Sequence, residues 1–226
     1  MKTIVVPDIH GRTFWKDLKT KYRDFEGKIV FLGDYVDPYK DENINWPETI
    51  ENLKEIIEFA RANDNVILLL GNHDYHYIYD FGLCSRFSAS YYKELHKIYT
   101  SNIDLFKIIY HDERNNILYS HAGVTTGWLK DVNIKLKDVN GLMHGDRPYD
   151  LWMVSRNRGG LDNNASPLWV CALDHHQKED SLDDNMIQIF GHTQLSKDYL
   201  EINPNKYCID SRQLFIVDNR NIKVLK

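Results

Sequence analysis

Short apolar runs recur along the chain, and five of them give way abruptly to a small polar motif. The first three motifs are PDIHG, GDYVD and GNHD, which follow the runs TIVV, KIVFL and VILLL. The last two are SHAG and GHT, which follow NILY and MIQIF. Apolar runs of this length that stop at a polar or glycine residue predict buried strands. We therefore expect polar side chains at five strand ends.

Helical patterns separate the first three runs. Residues 14–24 predict one helix, and a second is predicted from Pro47, where an acidic first turn precedes apolar side chains at helical spacing. Strands that alternate with helices favour βαβ units and a parallel sheet. Because open α/β sheets place their chemistry at the carboxyl ends of the strands, the motifs are expected to gather at one edge.

The remaining chain has a less regular pattern. Residues 75–110 predict two or more helices, and residues 125–185 mix helices with loops. The C-terminal segment that begins at Lys206 predicts three short strands separated by turn residues. We interpret the whole as an α/β fold in a single domain, residues 1–226.

Composition narrows the class of protein. The net charge is −5, so no dedicated nucleic-acid binding is expected. No run approaches the roughly 18 apolar residues of a membrane helix, and the N-terminal run is too short for a signal peptide. We expect a cytoplasmic protein with no membrane partner. Its three cysteines lie far apart and are expected to be buried thiols.

The polar motifs supply the residue types of a metal centre. Their Asp, Asn and His side chains offer oxygen and imidazole ligands, which suit first-row metals such as manganese, iron or zinc. Two such ions about 3.5–4 Å apart can clamp a phosphate and lower the pKa of a bridging water. The motifs hold more ligands than one ion needs. They predict two divalent or trivalent ions, manganese first, with a single ion as the alternative.

In order and wording, the five motifs resemble those of the calcineurin-like metallophosphoesterases. The likeness is greatest to the phosphoprotein phosphatase branch, with its small bacterial and phage Ser/Thr phosphatases and symmetrical diadenosine tetraphosphate hydrolases. The family pattern reads GDxHG, GDxxDRG, GNHE/D, HGG or HAG, and a late GH. It is matched in order across nearly the whole chain. The resemblance implies a two-sheet β-sandwich flanked by helices, the four-layer metallophosphoesterase fold.

The resemblance also implies a role for each motif residue. The implied metal ligands are Asp8 and His10 for one ion, Asp34 between both, and Asn72, His121 and His192 for the other. Asn72 also belongs with the groups that face the substrate phosphate. Asp37 and His73 match the family's acid pair, in which the carboxylate orients the imidazole and His73 protonates the leaving oxygen. A hydroxide that bridges the metals attacks phosphorus directly.

Two positions depart from the family pattern. Pro7 stands where the first motif has glycine, which removes no ligand. Pro38 stands where the second motif has a phosphate-binding arginine, and other groups replace a bidentate guanidinium poorly. Downstream, WMVSRNR resembles the segment that supplies a second phosphate-binding arginine. Arg156 is the match, and Arg158 is its alternative.

The predicted function is a phosphatase that acts on phosphomonoesters, with Ser/Thr phosphoproteins as the first choice among protein, nucleotide and small-molecule substrates. The missing arginine at Pro38 keeps a second enzyme open, a dinucleoside polyphosphate hydrolase or phosphodiesterase. An alternative of another class is an inactive phosphatase-like binding protein. The complete ligand set and the Asp37–His73 pair argue against it.

Overall fold

The computed structural model of the chain describes residues 2–79, 84–176, 182–183 and 185–225. The chain divides into two compact units. Residues 1–106 and 212–226 belong to the first unit, and residues 107–211 belong to the second. The single domain over residues 1–226 stays a prediction.

Strands and helices alternate in the N-terminal part, as predicted. The strands are β1 (Thr3–Val6), β2 (Lys28–Phe31), β3 (Val66–Leu69), β4 (Phe106–Lys107), β5 (Ile109–Asp112), β6 (Ile117–Ser120), β7 (Ile187–Phe190), β8 (Leu200–Asn203), β9 (Lys206–Cys208), β10 (Phe215–Asp218) and β11 (Asn221–Val224). The α-helices are α1 (Trp46–Arg61), α2 (Asn72–Ile78), α3 (Tyr92–Ser101) and α4 (Thr126–Asp131). Segments of 3₁₀ helix lie at Phe14–Lys19, Lys40–Glu42, Ile103–Leu105, Leu136–His144, Pro148–Trp152, Arg156–Arg158 and Ala172–His176.

A mixed sheet frames the first unit, in the order β11-β10-β1-β2-β3-β4. Strands β1, β2 and β3 are parallel, with Ile4 opposite Ile29 and Ile29 opposite Val66. All four residues of β1 are buried, as an apolar strand inside a parallel sheet requires. The first three polar motifs follow these three strands directly. The predicted parallel arrangement is confirmed, and it brings the motifs to one edge of this sheet.

Helix α1 connects β2 to β3 and begins where the sequence predicts. Asn45 caps it by accepting a hydrogen bond from the Glu48 N–H, and Pro47 fits the first turn because its nitrogen has no hydrogen to leave unpaired. The apolar face of α1 is buried, and so is Asn52. The Asn52 side chain accepts from Trp15 Nε1 at 2.9 Å and donates to the Arg12 carbonyl at 3.0 Å.

The helix predicted over residues 14–24 is shorter and tighter than expected. A 3₁₀ helix spans Phe14–Lys19, and turns follow it. Only Trp15 and Leu18 are buried within it. Their spacing of three residues matches the 3₁₀ repeat, so no longer apolar face favours continuing as an α-helix.

The second unit contains the other mixed sheet, in the order β5-β6-β7-β9-β8. Strands β6, β7 and β9 are parallel, whereas β5 and β8 pair antiparallel at the two edges. The motif with His121 follows β6, and the motif with His192 follows β7. Because these two strands are parallel neighbours, both motifs lie at the same edge of this sheet.

The irregular stretches hold helices and loops, as predicted. Residues 75–110 include most of α2 and all of α3, and residues 125–185 include α4 and several 3₁₀ segments. Residues 80–83, 177–181 and 184 of these stretches lie outside the described residues. Two mixed sheets with flanking helices confirm the α/β fold class. Among the described residues, the helices are all too short or too polar to cross a bilayer.

The Asn52 contact generates a stability prediction. In Asn52→Leu, the shape is roughly kept, but the buried Trp15 N–H loses its acceptor. We expect the free energy of unfolding to fall by about 1–3 kcal/mol. Urea denaturation measures it. The exposed neighbour Glu51→Ala on the same helix serves as the control and should change stability by less than about 0.5 kcal/mol. Equal stabilities of the two variants would contradict the role given to Asn52.

Candidate active site

A buried carboxylate, Asp74, ties the ends of β2 and β3 together. Its Oδ2 accepts from the backbone N–H of Asp34 at 2.7 Å and of Gly71 at 2.8 Å. Its Oδ1 accepts from the Tyr35 N–H at 2.9 Å and from the Tyr99 hydroxyl at 2.6 Å. Burial raises the pKa of Asp74 to about 7, although these hydrogen bonds favour the carboxylate.

Asp34 links three of the polar motifs. Its carbonyl accepts from the His10 N–H at 2.7 Å, and its Oδ1 accepts from the His73 N–H at 2.9 Å. Its Oδ2 lies 3.4 Å from His10 Nε2. Gly71 leaves room for this arrangement, because a Cβ at that position would overlap Asp34 Oδ1.

Asp8, His10 and Asp34 form a group with the chemistry of a metal site. One ligand atom from each lies within 4.8 Å of the others, and all three side chains are buried. Burial and the nearby Asp74 raise the pKa of Asp34 well above its ordinary range. A buried carboxylate in this situation gains strongly from a neighbouring cation. These oxygen and nitrogen donors fit the divalent ion that the sequence predicts.

Hydrogen bonding selects the tautomer that His10 needs as a ligand. Its Nδ1 donates to the Val36 carbonyl at 2.8 Å, so the lone pair of the neutral ring is on Nε2. Burial, with the positive side chains nearby, lowers the pKa of His10 well below its ordinary value. The imidazole is therefore neutral near pH 7, the form that binds a metal.

His73 and Asp37 form the pair that the motifs predict. His73 Nδ1 donates to Asp37 Oδ2 at 2.6 Å, which turns Nε2 away from the carboxylate. Burial lowers the pKa of His73, and the bond to Asp37 opposes that shift. Burial would also raise the pKa of Asp37, but hydrogen bonds from His73 and His76 outweigh it and lower that pKa. Asp37 is thus a carboxylate that orients His73.

Two further side chains contact Asp37, and sequence reasoning missed both. The Tyr77 hydroxyl donates to Oδ1 at 2.6 Å, and His76 Nε2 lies 3.1 Å from Oδ2. His76 Nδ1 accepts from the Cys84 N–H at 3.1 Å, so the proton of a neutral His76 is on Nε2 and faces Asp37. Both side chains lie on α2 with His73. The helical spacing of His73, His76 and Tyr77 was the signal available in the sequence.

Cys84 approaches the same histidines without completing a second metal site. It groups with His73 and His76 by distance. His73 Nδ1 and His76 Nδ1 are already engaged, however, with Asp37 and with the Cys84 backbone, and His76 Nε2 lies 3.1 Å from Asp37. Burial raises the pKa of the Cys84 thiol, which keeps it from becoming the thiolate that binds metals. The Asn72 amide, also buried, points to this sulfur at 3.7 Å.

In the second unit, His121 and His192 face each other. His121 Nε2 and His192 Nδ1 are 3.0 Å apart, and the Gly191 N–H donates to the His121 carbonyl at 2.7 Å. Two imidazole nitrogens at this distance share a proton or a cation, because two lone pairs would repel. The pair therefore has the donor chemistry expected of metal ligands.

Of the two predicted arginines, Arg158 is the one beside this pair. Its Nη2 donates to the His192 carbonyl at 3.0 Å and to the Thr193 hydroxyl. Arg156 is exposed, and its Nε donates to the Leu161 carbonyl at 3.2 Å. The geometry favours Arg158 over Arg156, the reverse of the order that the sequence suggested. The two arginines are two residues apart on a 3₁₀ helix, so they leave it in different directions.

Several of these residues adopt a backbone conformation that is uncommon outside glycine. The φ angles are +45° at His10, +52° at Asp34, +58° at Asp37 and +64° at His192. Such left-handed conformations cluster at functional sites, where surrounding hydrogen bonds hold them in place. Arg86 shares the feature, with φ of +66°.

Arg86 is a further residue that sequence reasoning missed. Its Nη2 lies 3.4 Å from His73 Nε2 and 3.5 Å from His10 Nε2. It follows a stretch of aromatic residues that bears no family motif, so no pattern indicated it.

The sequence model of the family described as calcineurin-like phosphoesterase matches residues 1–208. A comparison with curated proteins gave no match.

Several solved structures are similar over the full length of the chain. A cold-active protein-tyrosine phosphatase of a psychrophile Shewanella species has a TM-score of 0.65 and 17% identity, with 80% of that protein covered. A protein serine/threonine phosphatase from Saccharomyces cerevisiae, with similarity to human phosphatase PP5, has a TM-score of 0.58 and 14% identity, with 79% covered. A metallophosphoesterase from Sphaerobacter thermophilus has a TM-score of 0.51 and 14% identity, with 89% covered. At these identities the likeness shows the fold.

The Asp74 contacts generate the second prediction. In Asp74→Asn, an amide NH₂ replaces one carboxylate oxygen and faces buried donors that then lack an acceptor. We expect the free energy of unfolding to fall by about 1–3 kcal/mol for each such donor. Denaturant titration followed by circular dichroism measures the loss.

Asp64→Asn is the matched control, since Asp64 makes the same change of charge at an exposed turn before β3. It should unfold at nearly the same denaturant concentration as the unchanged protein. An Asp74→Asn variant as stable as this control would show that the carboxylate does not hold the two strand ends.

Proposed function

Because this chain belongs to the calcineurin-like phosphoesterases, a family of metal-dependent hydrolases, we propose that it is a phosphatase acting on phosphomonoesters, with a Ser/Thr phosphoprotein as the first choice of substrate. The observation that carries the proposal is the His73 imidazole. Its Nδ1 donates to Asp37, and its ring lies 5.1 Å from the ring of His10, which belongs to the group of Asp8, His10 and Asp34 in the same unit.

The proposed metal ligands in the first unit are Asp8, His10, Asp34 and Asn72. We propose His121 and His192 as ligands on the strength of the family motifs and of their facing nitrogens. Two ions, manganese with iron or zinc as alternatives, would supply a nucleophile at neutral pH and neutralise charge on the phosphate. We further propose a cytoplasmic enzyme, for which the three buried thiols are the support.

His73 supplies the proton that the leaving group needs. As the phosphorus–oxygen ester bond breaks, its electron pair goes to the leaving oxygen, and the proton on His73 Nε2 transfers there. Asp37 keeps the ring oriented through Nδ1 and favours its protonated form, against the burial that lowers the pKa of His73. The Tyr77 hydroxyl donates to Asp37, and His76 lies 3.1 Å from it. These contacts orient Asp37, and through it His73, before substrate binds.

The substrate class can be tested with three compounds under one condition. Purified protein should contain about one to two metal ions per chain. With manganese supplied, it should hydrolyse a phosphoserine peptide faster than an aryl phosphodiester or a dinucleoside polyphosphate. Chelation should abolish turnover, and added metal should restore it. Preference for the dinucleoside polyphosphate or the diester would replace the phosphatase proposal. Metal binding without turnover of any of the three compounds would support the alternative of an inactive phosphatase-like binding protein.

The acid role of His73 generates a sharper prediction. In His73→Ala, we expect kcat on a phosphoserine peptide to fall by about 10²- to 10⁴-fold with metal content unchanged. The fall should be smaller on nitrophenyl phosphate, because its leaving oxygen is stable without a proton. Steady-state kinetics on both substrates measures the difference.

His144→Ala is the control, an exposed histidine outside the described contacts of the site. It should hydrolyse both substrates at the original rates. Equal losses on the two substrates in His73→Ala would contradict proton donation, and full activity would remove His73 from the reaction altogether.

A further inference from the structure

Arg86 places a guanidinium next to the proposed acid. Its Nη2 lies 3.4 Å from His73 Nε2, the nitrogen proposed to donate the proton, and 3.5 Å from His10 Nε2. The side chain thus reaches the point where the acid and a proposed metal ligand converge. A leaving oxygen or a phosphate oxygen within reach of His73 would also be within reach of Arg86.

Within the part of the chain that the structure describes, no carboxylate forms a salt bridge with Arg86, although its charge acts on Asp34 and Glu42 from a greater distance. Two other arginines share its neighbourhood around the Tyr39 ring, but Arg12 and Arg212 are both paired with Glu42, at 2.6 Å and 3.0 Å. Among the described residues, Arg86 makes hydrogen-bond contacts to one backbone carbonyl and to the two imidazoles. A guanidinium beside a predicted metal site favours the binding of an anion at that site, and a phosphate dianion is such an anion.

Two contacts fix the position of the guanidinium. Its central carbon lies 3.8 Å from the centre of the Tyr39 ring, and its Nε donates to the Asp37 carbonyl at 2.9 Å. A planar guanidinium stacks well on an aromatic face, whereas an ammonium has no matching plane. Asp37 is the residue directly before Pro38. Arg86 is therefore attached at the very position where the family motif would continue into its arginine.

We propose that Arg86 binds the substrate phosphate and supplies the guanidinium that Pro38 removes from the second motif. The inference rests on the proposed phosphatase function and adds to it a substrate-binding residue from a loop outside the family motifs. Proline follows Asp37 where the family motif has arginine, and the fold brings Arg86 to the carbonyl of Asp37. The anion it binds is the phosphate group itself, whatever molecule carries it.

The test is phosphate binding to the manganese-loaded protein, measured by isothermal titration calorimetry with inorganic phosphate. In Arg86→Gln, we expect the Kd for phosphate to rise about 10- to 100-fold, as for loss of a charge-assisted hydrogen bond. The KM for an aryl phosphate should rise with it, and the metal content should stay the same. In Arg86→Lys, which keeps the charge but loses the fork, we expect an intermediate Kd.

Arg212→Gln is the matched control. Arg212 also has a left-handed backbone, with φ of +64°, and lies near the Tyr39 ring, but it is paired with Glu42. This variant should bind phosphate as the unchanged protein does.

The outcomes separate the inference from the function. Unchanged phosphate affinity in Arg86→Gln, at equal metal content, would overturn the role of Arg86 and leave the phosphatase proposal standing. If Arg86→Gln lost bound metal but kept its phosphate affinity, the role would also be overturned, because Arg86 would then support the metal ligands and not the phosphate. If Arg86→Gln does not fold, Arg86→Lys decides by the same two readouts. If the unchanged protein neither binds phosphate nor hydrolyses a phosphate ester, the function itself fails.

Discussion

The first unit depends on the buried side chain of Asp74, which accepts hydrogen bonds from four donors. Asp74 takes hydrogen bonds from the chain just after β2, from the chain just after β3 and from the Tyr99 hydroxyl of α3. Two parallel strands that end side by side leave backbone N–H groups with no partner in the sheet, and a buried N–H without an acceptor is costly. One side chain satisfies them. The same bonds fix where Asp34 sits, and Asp34 fixes the loops that carry His10 and His73.

His10 and His73 share a common arrangement. In each ring, Nδ1 donates a hydrogen bond to a protein acceptor, and Nε2 is the nitrogen proposed for metal binding or proton transfer. His10 is held by the Val36 carbonyl and presents Nε2 toward Asp34, whereas His73 is held by Asp37 and presents Nε2 for proton transfer. The acceptor that holds the ring decides the chemistry. A carbonyl gives a neutral ligand, and a carboxylate gives a ring that can hold a second proton.

Strand ends were predictable from the sequence because an apolar run that stops at glycine has few alternatives in a parallel sheet. The motifs at those ends, including Asp8, Asp34 and His73, came with them. The 3₁₀ helix at Phe14–Lys19 was missed because its two buried residues fit an α-helical pattern equally well over one turn. Arg86 was missed for a different reason. Its position depends on a loop, a tyrosine ring and the carbonyl of Asp37, and none of these leaves a periodic trace in the sequence.

The left-handed backbone at His10, Asp34, Asp37 and His192 has a consequence for how this protein can change. A side chain in that conformation costs roughly 1 kcal/mol relative to glycine. Glycine at any of these positions would relieve the backbone while deleting a proposed ligand or the partner of the acid. At Asp34 and Asp37 the lost side-chain hydrogen bonds would outweigh this relief, because buried donors would be left without an acceptor. The same side chains thus hold the unusual backbone and carry the proposed chemistry, so a substitution at His10, Asp34 or Asp37 would change both together.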